Sequence, residues 1–258
     1  MRSPRNSIFA IALLVCAPAC AQERKLDILV KAYPESIASR DGNALVLRNG
    51  SRLDAGRDDP ATAFATRISH ASILDIFHQA YPEGAALAPP PADFDPGRYR
   101  NKPFFDAVYG DCRKGEVEKN LVPVVWLPKG WGQTIQFTRV GGAADRLRQV
   151  SAEIDELPAS VRHAAWPIAG TYACRGVADQ GQPSMHAYGA AIDLNLAFSQ
   201  YWLWDQQKGH LGWANRMPRE IVDSFERHGF IWGGRWYHYD TMHFEYRPEL
   251  LVRTNTVR

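Results

Sequence analysis

Two short segments that lie far apart in the sequence constrain the fold of this chain most. Residues 184–193 read Ser-Met-His-Ala-Tyr-Gly-Ala-Ala-Ile-Asp, and residues 240–243 read Asp-Thr-Met-His. They supply two imidazoles and one carboxylate, from His186, His243 and Asp193. Three such side chains bind zinc and leave its fourth position open for water, which distinguishes a catalytic site from a closed structural one. The sequence therefore predicts a fold that brings these segments into contact.

The first segment has the pattern of a turn followed by a strand. A helix would also place His186 and Asp193 on one face, because seven residues make two turns. Residues 192–196 alternate apolar and polar side chains, however, which favours a strand. We therefore expect His186 on a turn, with Gly189 adopting positive φ or packing closely. Asp193 and Asn195 would then share one face of the strand.

The second segment predicts a turn at Asp240 that leads into a strand beginning near His243. Alternate residues of a strand share a face, so Glu245 would point the same way as His243. A carboxylate in that position orients a ligand histidine. Asp240 is a candidate general base, because it would lie beside the water that a metal activates. The alternative is that Asp240 only shapes the turn.

Four further polar residues are candidates for substrate contact. Arg175 precedes the first segment, and its guanidinium suits an oxyanion or a substrate carboxylate, although a structural ion pair is the alternative. Ser184 either caps the turn or hydrogen-bonds a ligand. Tyr237 and His238 either bind substrate or pack in the core, which is the commoner role of aromatic side chains.

These residues resemble a family of zinc peptidases that cut peptidoglycan stem peptides. The family includes D-alanyl-D-alanine carboxypeptidases, D,D-dipeptidases and L-alanyl-D-glutamate endopeptidases, and it shares a fold with the hedgehog signalling domain. Its pattern Ser-x-His-x-x-Gly-x-Ala-x-Asp is met at every fixed position from Ser184 to Asp193. An acid three residues before a His-Phe pair is met by Asp240 and His243. The resemblance covers residues 135–250.

The resemblance implies a role for each of these side chains. It implies that His186, Asp193 and His243 bind Zn²⁺. It further implies that Asp240 acts as the base and that Arg175 binds the substrate or the transition state. The first motif and its acid-x-x-His partner together predict a metal site, where either histidine alone would more often be structural.

The resemblance also implies a reaction. The chain carries Asp240 where carboxypeptidase and dipeptidase members carry Glu, and the endopeptidase branch carries Asp in a similar Asp-x-x-His-Phe-Glu context. This favours an L,D-endopeptidase that cuts between L-Ala and D-Glu of the stem peptide. A D-alanyl-D-alanine carboxypeptidase is the nearest alternative. A non-catalytic, zinc-stabilised cell-wall-binding module is a third, although an intact Asp240 argues against it.

The N-terminus predicts export. Arg2 and Arg5 precede an apolar run at residues 8–15 and the small-residue segment Ala19-Cys20-Ala21, which is the order of a secretory signal. The apolar run is too short to span a membrane. We expect cleavage of residues 1–21 and a periplasmic or secreted protein, with lipid attachment at Cys20 as the alternative.

Composition narrows the partners. Removing residues 1–21 takes away two arginines and no acid, which leaves 28 basic and 28 acidic residues. The sequence contains no basic patch, which argues against nucleic acid as a partner. Cys112 and Cys174 remain, and an oxidising compartment predicts a disulfide between them, with two buried thiols as the alternative. The sequence does not indicate an oligomeric state.

The remaining patterns predict an α+β fold with a mostly antiparallel sheet and flanking helices. Residues 22–100 form an N-terminal segment of unknown role, which ends in a Pro-rich linker at 88–100. Residues 101–258 form the zinc peptidase domain. Strands are predicted within 25–53, with a hairpin turn at Asp41-Gly42-Asn43, and at 121–127 and 134–140. Helices are predicted at 66–81, 143–157 and 219–228.

Overall fold

A computed structural model describes residues 18–57, 59–175, 184–209 and 212–251. It contains helices and antiparallel strands, in agreement with the predicted α+β class. The helices are α1 (Pro18–Ala32), α2 (Phe64–Ser69), α3 (Lys102–Tyr109), α4 (Ala143–Asp155), α5 (Ala159–Arg162), α6 (Trp202–Gln207) and α7 (Arg219–Arg227). The strands are β1 (Ile37–Asp41), β2 (Ala44–Leu47), β3 (Arg52–Asp54), β4 (Leu121–Trp126), β5 (Gln133–Thr138), β6 (Ala191–Asp193), β7 (Phe230–Trp232) and β8 (His243–Tyr246).

The strands form three small antiparallel sheets. β1, β2 and β3 follow one another in the first sheet, β4 pairs with β5 in the second, and β8 lies between β6 and β7 in the third. The predicted hairpin turn joins β1 to β2, where Asp41 pairs with Ala44 and Gly42 adopts φ +56°. The strands predicted at 121–127 and 134–140 correspond to β4 and β5.

The main core lies where α4 and α7 cover β4, β5 and the β6–β8–β7 sheet. Leu147, Val150 and Ile154 of α4 are fully buried at three- and four-residue spacing, which is the apolar stripe that predicted this helix. Phe225 of α7 stacks on Phe244 of β8 with ring centroids 4.0 Å apart. This packing fixes β8 beneath the two helices.

Two predictions in the N-terminal segment were wrong. Residues 25–32 are helical, because Leu26, Leu29 and Tyr33 bury one helical face. The helix predicted at 66–81 is broken: α2 ends at Ser69, and a 3₁₀ turn follows at Leu74–Phe77.

A local cap explains the break after α2. The hydroxyl of Ser72 accepts a hydrogen bond from the backbone N–H of Asp75, and the Asp75 carboxylate accepts one from the backbone N–H of Ser72. This reciprocal arrangement starts a new turn and competes with continuation of the helix. Asp75 is buried and also pairs with Arg67 of α2.

A second core joins the N-terminal elements to the first motif. Leu26 of α1 and Phe105 of α3 belong to the same buried cluster as Met185, Tyr188 and Ala191. The predicted disulfide between Cys112 and Cys174 is also present and links the region after α3 to the strand-like segment before the motif. The domain division at residue 100 stays a prediction.

The Pro-rich segment carries no helix or strand between residues 88 and 100, in agreement with the predicted loop, whereas its role as a linker stays a prediction. Its second half is nevertheless buried, from Asp95 to Arg100. Within the described ranges, no helix combines the length and apolar character that crossing a membrane requires.

Candidate metal centre

Three atoms from the two motif segments converge at one point. His186 Nε2 lies 3.1 Å from Asp193 Oδ1 and 3.2 Å from His243 Nδ1, and His243 Nδ1 lies 2.9 Å from Asp193 Oδ1. Both imidazoles are buried, and the carboxylate is half-buried. The structure therefore brings together the three predicted ligands in a group that could hold a metal ion.

Strand pairing places two of the three side chains side by side. Asp193 ends β6 and is the register partner of His243, which begins β8. Asn195 was expected to share the face of Asp193, and this prediction was wrong. Asn195 lies beyond the strand, where its side-chain oxygen accepts a hydrogen bond from the backbone N–H of Ala197 and caps a 3₁₀ turn. The cap ends the strand after Asp193.

The third side chain comes from a tight turn. His186 lies in the 3₁₀ turn Met185–Tyr188, and the hydroxyl of Ser184 accepts a hydrogen bond from its backbone N–H. Gly189 ends the turn with φ +63°, and a Cβ atom there would lie 2.4 Å from Cδ2 of Leu121. The positive φ favours glycine at this position, and a larger residue would also have to displace the side chain of Leu121.

A backbone carbonyl fixes the tautomer of His186. Its Nδ1 donates a hydrogen bond to the carbonyl oxygen of Thr171. Because a carbonyl only accepts, Nδ1 carries the proton and Nε2 presents a lone pair to the site.

The carboxylate of Glu245 fixes the tautomer of His243. The strand alternation predicted that these two side chains share a face. His243 Nε2 donates to Glu245 Oε2 at 2.8 Å, so Nδ1 faces the other ligands. Glu245 is fully buried and also accepts hydrogen bonds from Arg100 at 2.5 Å and Arg247 at 2.9 Å. Burial alone would raise the pKa of Glu245, but the charge of Arg100, the hydrogen bond of His243 and the charge of Arg247 hold it well below its ordinary value.

The chemistry of the converging atoms fits a cation. With the outer ring nitrogens protonated, Nε2 of His186, Nδ1 of His243 and Oδ1 of Asp193 are all acceptors, and three acceptors this close require a proton or a metal ion between them. Tetrahedral zinc with bonds of about 2.0–2.2 Å would space its ligand atoms about 3.3–3.6 Å apart. The observed separations are within a few tenths of an ångström of that spacing.

The electrostatics of the ligands favour the same conclusion. Burial would raise the pKa of Asp193, but the charges and hydrogen bonds of His186 and His243 lower it far below its ordinary value. Burial would lower the pKa of His243, but its hydrogen bonds to Asp193 and Glu245 raise it to about 10. The site therefore stabilises positive charge at the point where the three atoms meet.

Asp240 lies beside the three converging side chains, and one of its carboxylate oxygens accepts no hydrogen bond within the described part of the chain. Its Oδ1 atom is shielded from solvent and accepts no hydrogen bond from any residue that the structure describes. Desolvation and the negative charge of Asp193 raise the pKa of Asp240 to about 7. A backbone hydrogen bond of 3.0 Å to Gly233 fixes the turn, and a Cβ atom on Gly233 would lie 2.5 Å from the Asp240 carbonyl oxygen.

The metal-binding group and Asp240 line a cleft of about 250 Å³. Three of the four predicted substrate contacts, Arg175, Ser184 and His238, line it as well. Arg175 is exposed at the mouth, whereas Ser184 is buried and caps the turn of His186. Tyr237 does not line this cleft; it is exposed and borders a neighbouring aromatic pocket that also contains His238.

Six residues of the cleft wall were not among the predicted site residues. They are Arg98 and Arg100 from the Pro-rich segment, Tyr201 and Trp204 at α6, and Trp236 and Met242 in or near the second segment. No local signal marked the two arginines, because their positions depend on contacts with segments 140 or more residues away. Hydrogen bonds from Arg100 to Glu245 and from Arg98 to the carbonyl of His238 are examples.

The three converging side chains lie in a part of the chain that matches a known protein family. Residues 178–246 match the D-alanyl-D-alanine carboxypeptidase family. This match confirms the resemblance seen in the two motifs, and it includes all three converging side chains and Asp240. It leaves Arg175 and the whole segment before residue 178 outside. Neither the curated proteins nor the solved structures gave a match.

Proposed function

We propose that the protein is an exported zinc peptidase that hydrolyses a peptide bond in peptidoglycan stem peptides. The observation that carries this proposal is the convergence of His186, Asp193 and His243 in a cleft beside Asp240, whose buried Oδ1 has no hydrogen-bond partner among the described residues. Two histidines and one carboxylate suit zinc. The family match supports a peptidase of this kind.

The chain's own residues would divide the chemistry among them. A zinc ion held by the three ligands would polarise the scissile carbonyl and activate water. Asp240 accepts the proton of the attacking water and passes it to the leaving amine. Arg175, at the mouth of the cleft, binds a substrate carboxylate or the oxyanion.

We further propose that the bond cut lies between L-Ala and D-Glu. Asp240 and Glu245 frame the sequence Asp-x-x-His-Phe-Glu, which resembles the endopeptidase branch. The description of the matched family favours a D-alanyl-D-alanine carboxypeptidase instead. Digestion of purified muropeptides followed by mass spectrometry separates the two. New L-Ala carboxyl ends support the endopeptidase, whereas release of free D-Ala supports the carboxypeptidase.

A zinc-stabilised binding module without activity is the third candidate. It requires the three ligands but gives no role to a carboxylate such as Asp240, whose buried oxygen lacks a partner among the described residues. Pull-down on purified cell walls, together with the muropeptide assay, tests it. Wall binding with no cleavage of any muropeptide would favour the module.

Export is proposed from the signal-like residues 1–21, of which residues 1–17 lie outside the described part of the chain. The Cys112–Cys174 disulfide supports an oxidising compartment. The mass of the mature N-terminus tests this: Gln22 as first residue supports a soluble exported protein, and a lipid on Cys20 supports the anchored alternative.

A further inference from the structure

Arg98 is a buried cation with most of its hydrogen-bonding capacity available. It is 6% exposed and lines the cleft that contains Asp240 and the three converging ligands. A guanidinium carries five N–H donors. Among the residues that the structure describes, Arg98 donates one hydrogen bond, of 3.2 Å, to the carbonyl oxygen of His238. Its Nε and Nη2 make no hydrogen bond to the described residues and are not sealed from solvent, and the side chain lines the cleft, so both can donate to a ligand there.

The position of Arg98 is fixed by the residues on either side of it. Asp95 is fully buried and accepts hydrogen bonds from the backbone N–H of His238 at 3.0 Å and from its Nδ1 at 2.6 Å. The indole N–H of Trp236 donates to the carbonyl of Pro96 at 2.7 Å. The guanidinium lies 5.6 Å from the centroid of the Trp236 ring. These contacts hold the cation in place against the turn that carries Asp240.

The other two arginines of the cleft differ from Arg98 in ion pairing or in exposure. The charge of Arg100 is neutralised by a buried ion pair with Glu245, in which Nη2 lies 2.5 Å from Oε2. Arg175 is exposed at the mouth. Arg98 alone among the three combines burial with donors that are left for a ligand in the cleft. A buried, pre-positioned guanidinium matches a carboxylate through two parallel N–H···O bonds.

We propose that Arg98 binds a carboxylate of the substrate and thereby selects which stem peptide enters the cleft. This inference rests on the proposed peptidase function and adds a specificity residue from outside the matched segment 178–246. Stem peptides with lysine at the third position offer two sources of this chemistry, the free α-carboxylate of the D-glutamyl residue and the C-terminal carboxylate. Replacement of the D-glutamyl α-carboxylate by an amide gives D-isoglutamine, which is neutral but similar in shape.

A double-mutant cycle between protein and substrate tests the inference. The zinc-loaded wild type and Arg98→Gln are assayed on a stem peptide, on its D-isoglutamine analogue and on its C-terminal amide. With the wild type, removal of the bound carboxylate should lower kcat/KM by roughly 10- to 100-fold. Arg98→Gln should lose a similar factor on the parent peptide and little more on the analogue that lacks the bound carboxylate.

The losses of kcat/KM on the three peptides show whether Arg98 binds a carboxylate. A non-additive loss with one analogue supports the inference and names the carboxylate that Arg98 binds. A loss that is equal on all three peptides overturns it, because damage to the fold or to the turn of Asp240 would affect every substrate alike. Arg98→Lys should restore part of the discrimination, and Arg52→Gln, an exposed arginine of β3, should leave all three values unchanged.

Failure of the proposed function is distinguishable from failure of this inference. If the wild type cuts none of the peptides, the peptidase proposal fails. The same cycle is then measured on the dissociation constants of the three peptides by calorimetry. Carboxylate-dependent binding that disappears in Arg98→Gln supports the inference, and binding that is absent or independent of Arg98 overturns it.

Discussion

Asp193 and His243 are register partners on two antiparallel strands, and their side chains meet with Nδ1 of the imidazole 2.9 Å from Oδ1 of the carboxylate. The backbone pairing of β6 with β8 thus places two of the three candidate ligands side by side. His186 joins them from a turn that Ser184 caps. A site built on paired strands holds its ligands more precisely than one built on loops.

Asp240→Asn should separate metal binding from catalysis. The amide cannot accept the proton of the attacking water, so we expect kcat to fall by about 10²- to 10⁴-fold. The three ligands are unchanged, so zinc content by elemental analysis should remain that of the wild type. An Asp240→Asn protein that retains its metal and its full activity would remove Asp240 from the mechanism. Asp223→Asn, on the partly exposed surface of α7, is the matched control.

Zinc binding should release protons at neutral pH. Without metal, the folded protein holds a proton on His243 because the pKa is raised from 6.5 to about 10. That proton stabilises the metal-free fold below pH 6.5, and the contribution is lost as the pH rises through about 10. Zinc needs the deprotonated imidazole, so its affinity should fall as the pH falls.

Calorimetry measures this release. Zinc is titrated at pH 7 in two buffers with different ionisation enthalpies, and the observed enthalpies should differ by the release of about one proton. Identical enthalpies in the two buffers would mean that His243 is already deprotonated before the metal binds.

Glu245→Gln should weaken both the fold and the metal site. Glu245 is fully buried between Arg100 and Arg247, and its loss of charge leaves Arg100 without an ion-pair partner among the described residues, while Arg247 keeps only Glu249. We expect the free energy of unfolding to fall by about 3–5 kcal/mol and zinc affinity to fall by about 10- to 100-fold, because His243 loses the partner that orients it.

The matched control is Glu156→Gln, which breaks only an exposed pair with Lys129. Denaturant unfolding of the two metal-free variants should show a loss for Glu245→Gln alone, since exposed pairs contribute little. A stability of Glu245→Gln equal to that of the wild type would show that the buried arginines are satisfied in another way.

Removal of the disulfide should reduce stability and, through Arg175, activity. Cys112 and Cys174 are separated by 62 residues, so the bond restricts a long loop in the unfolded chain. Loss of such a link typically costs about 2–5 kcal/mol. In the double variant Cys112→Ser and Cys174→Ser, denaturant unfolding should show this loss, and kcat/KM should fall because Arg175 adjoins Cys174. Unchanged kcat/KM in the folded variant would argue against a role for Arg175.

The sequence predicted those parts of the site that depend on local pattern. The alternation in the second segment placed Glu245 on the face of His243, and the structure joins them at 2.8 Å. The glycine at position 189 and the cap at Ser184 also have short-range signals. The apolar stripe of α4 and the proline before α7 indicated both helices within two residues of their observed bounds.

Other features depend on contacts that no local pattern encodes. Helix α1 is an exception, because Leu26, Leu29 and Tyr33 recur at the three- and four-residue spacing of a helix, so a local pattern did indicate it. Asp95 and Arg98 lie in a segment whose prolines indicated a linker. Their burial results from hydrogen bonds to His238, which is 140 or more residues away.

The most direct test of the account is the position of zinc in a crystal of the loaded protein, located by anomalous scattering. We predict a single ion about 2.0–2.2 Å from Nε2 of His186, Oδ1 of Asp193 and Nδ1 of His243, with a water molecule in the fourth position. An ion bound elsewhere, or a fourth protein side chain that closes the site, would contradict a catalytic metal centre.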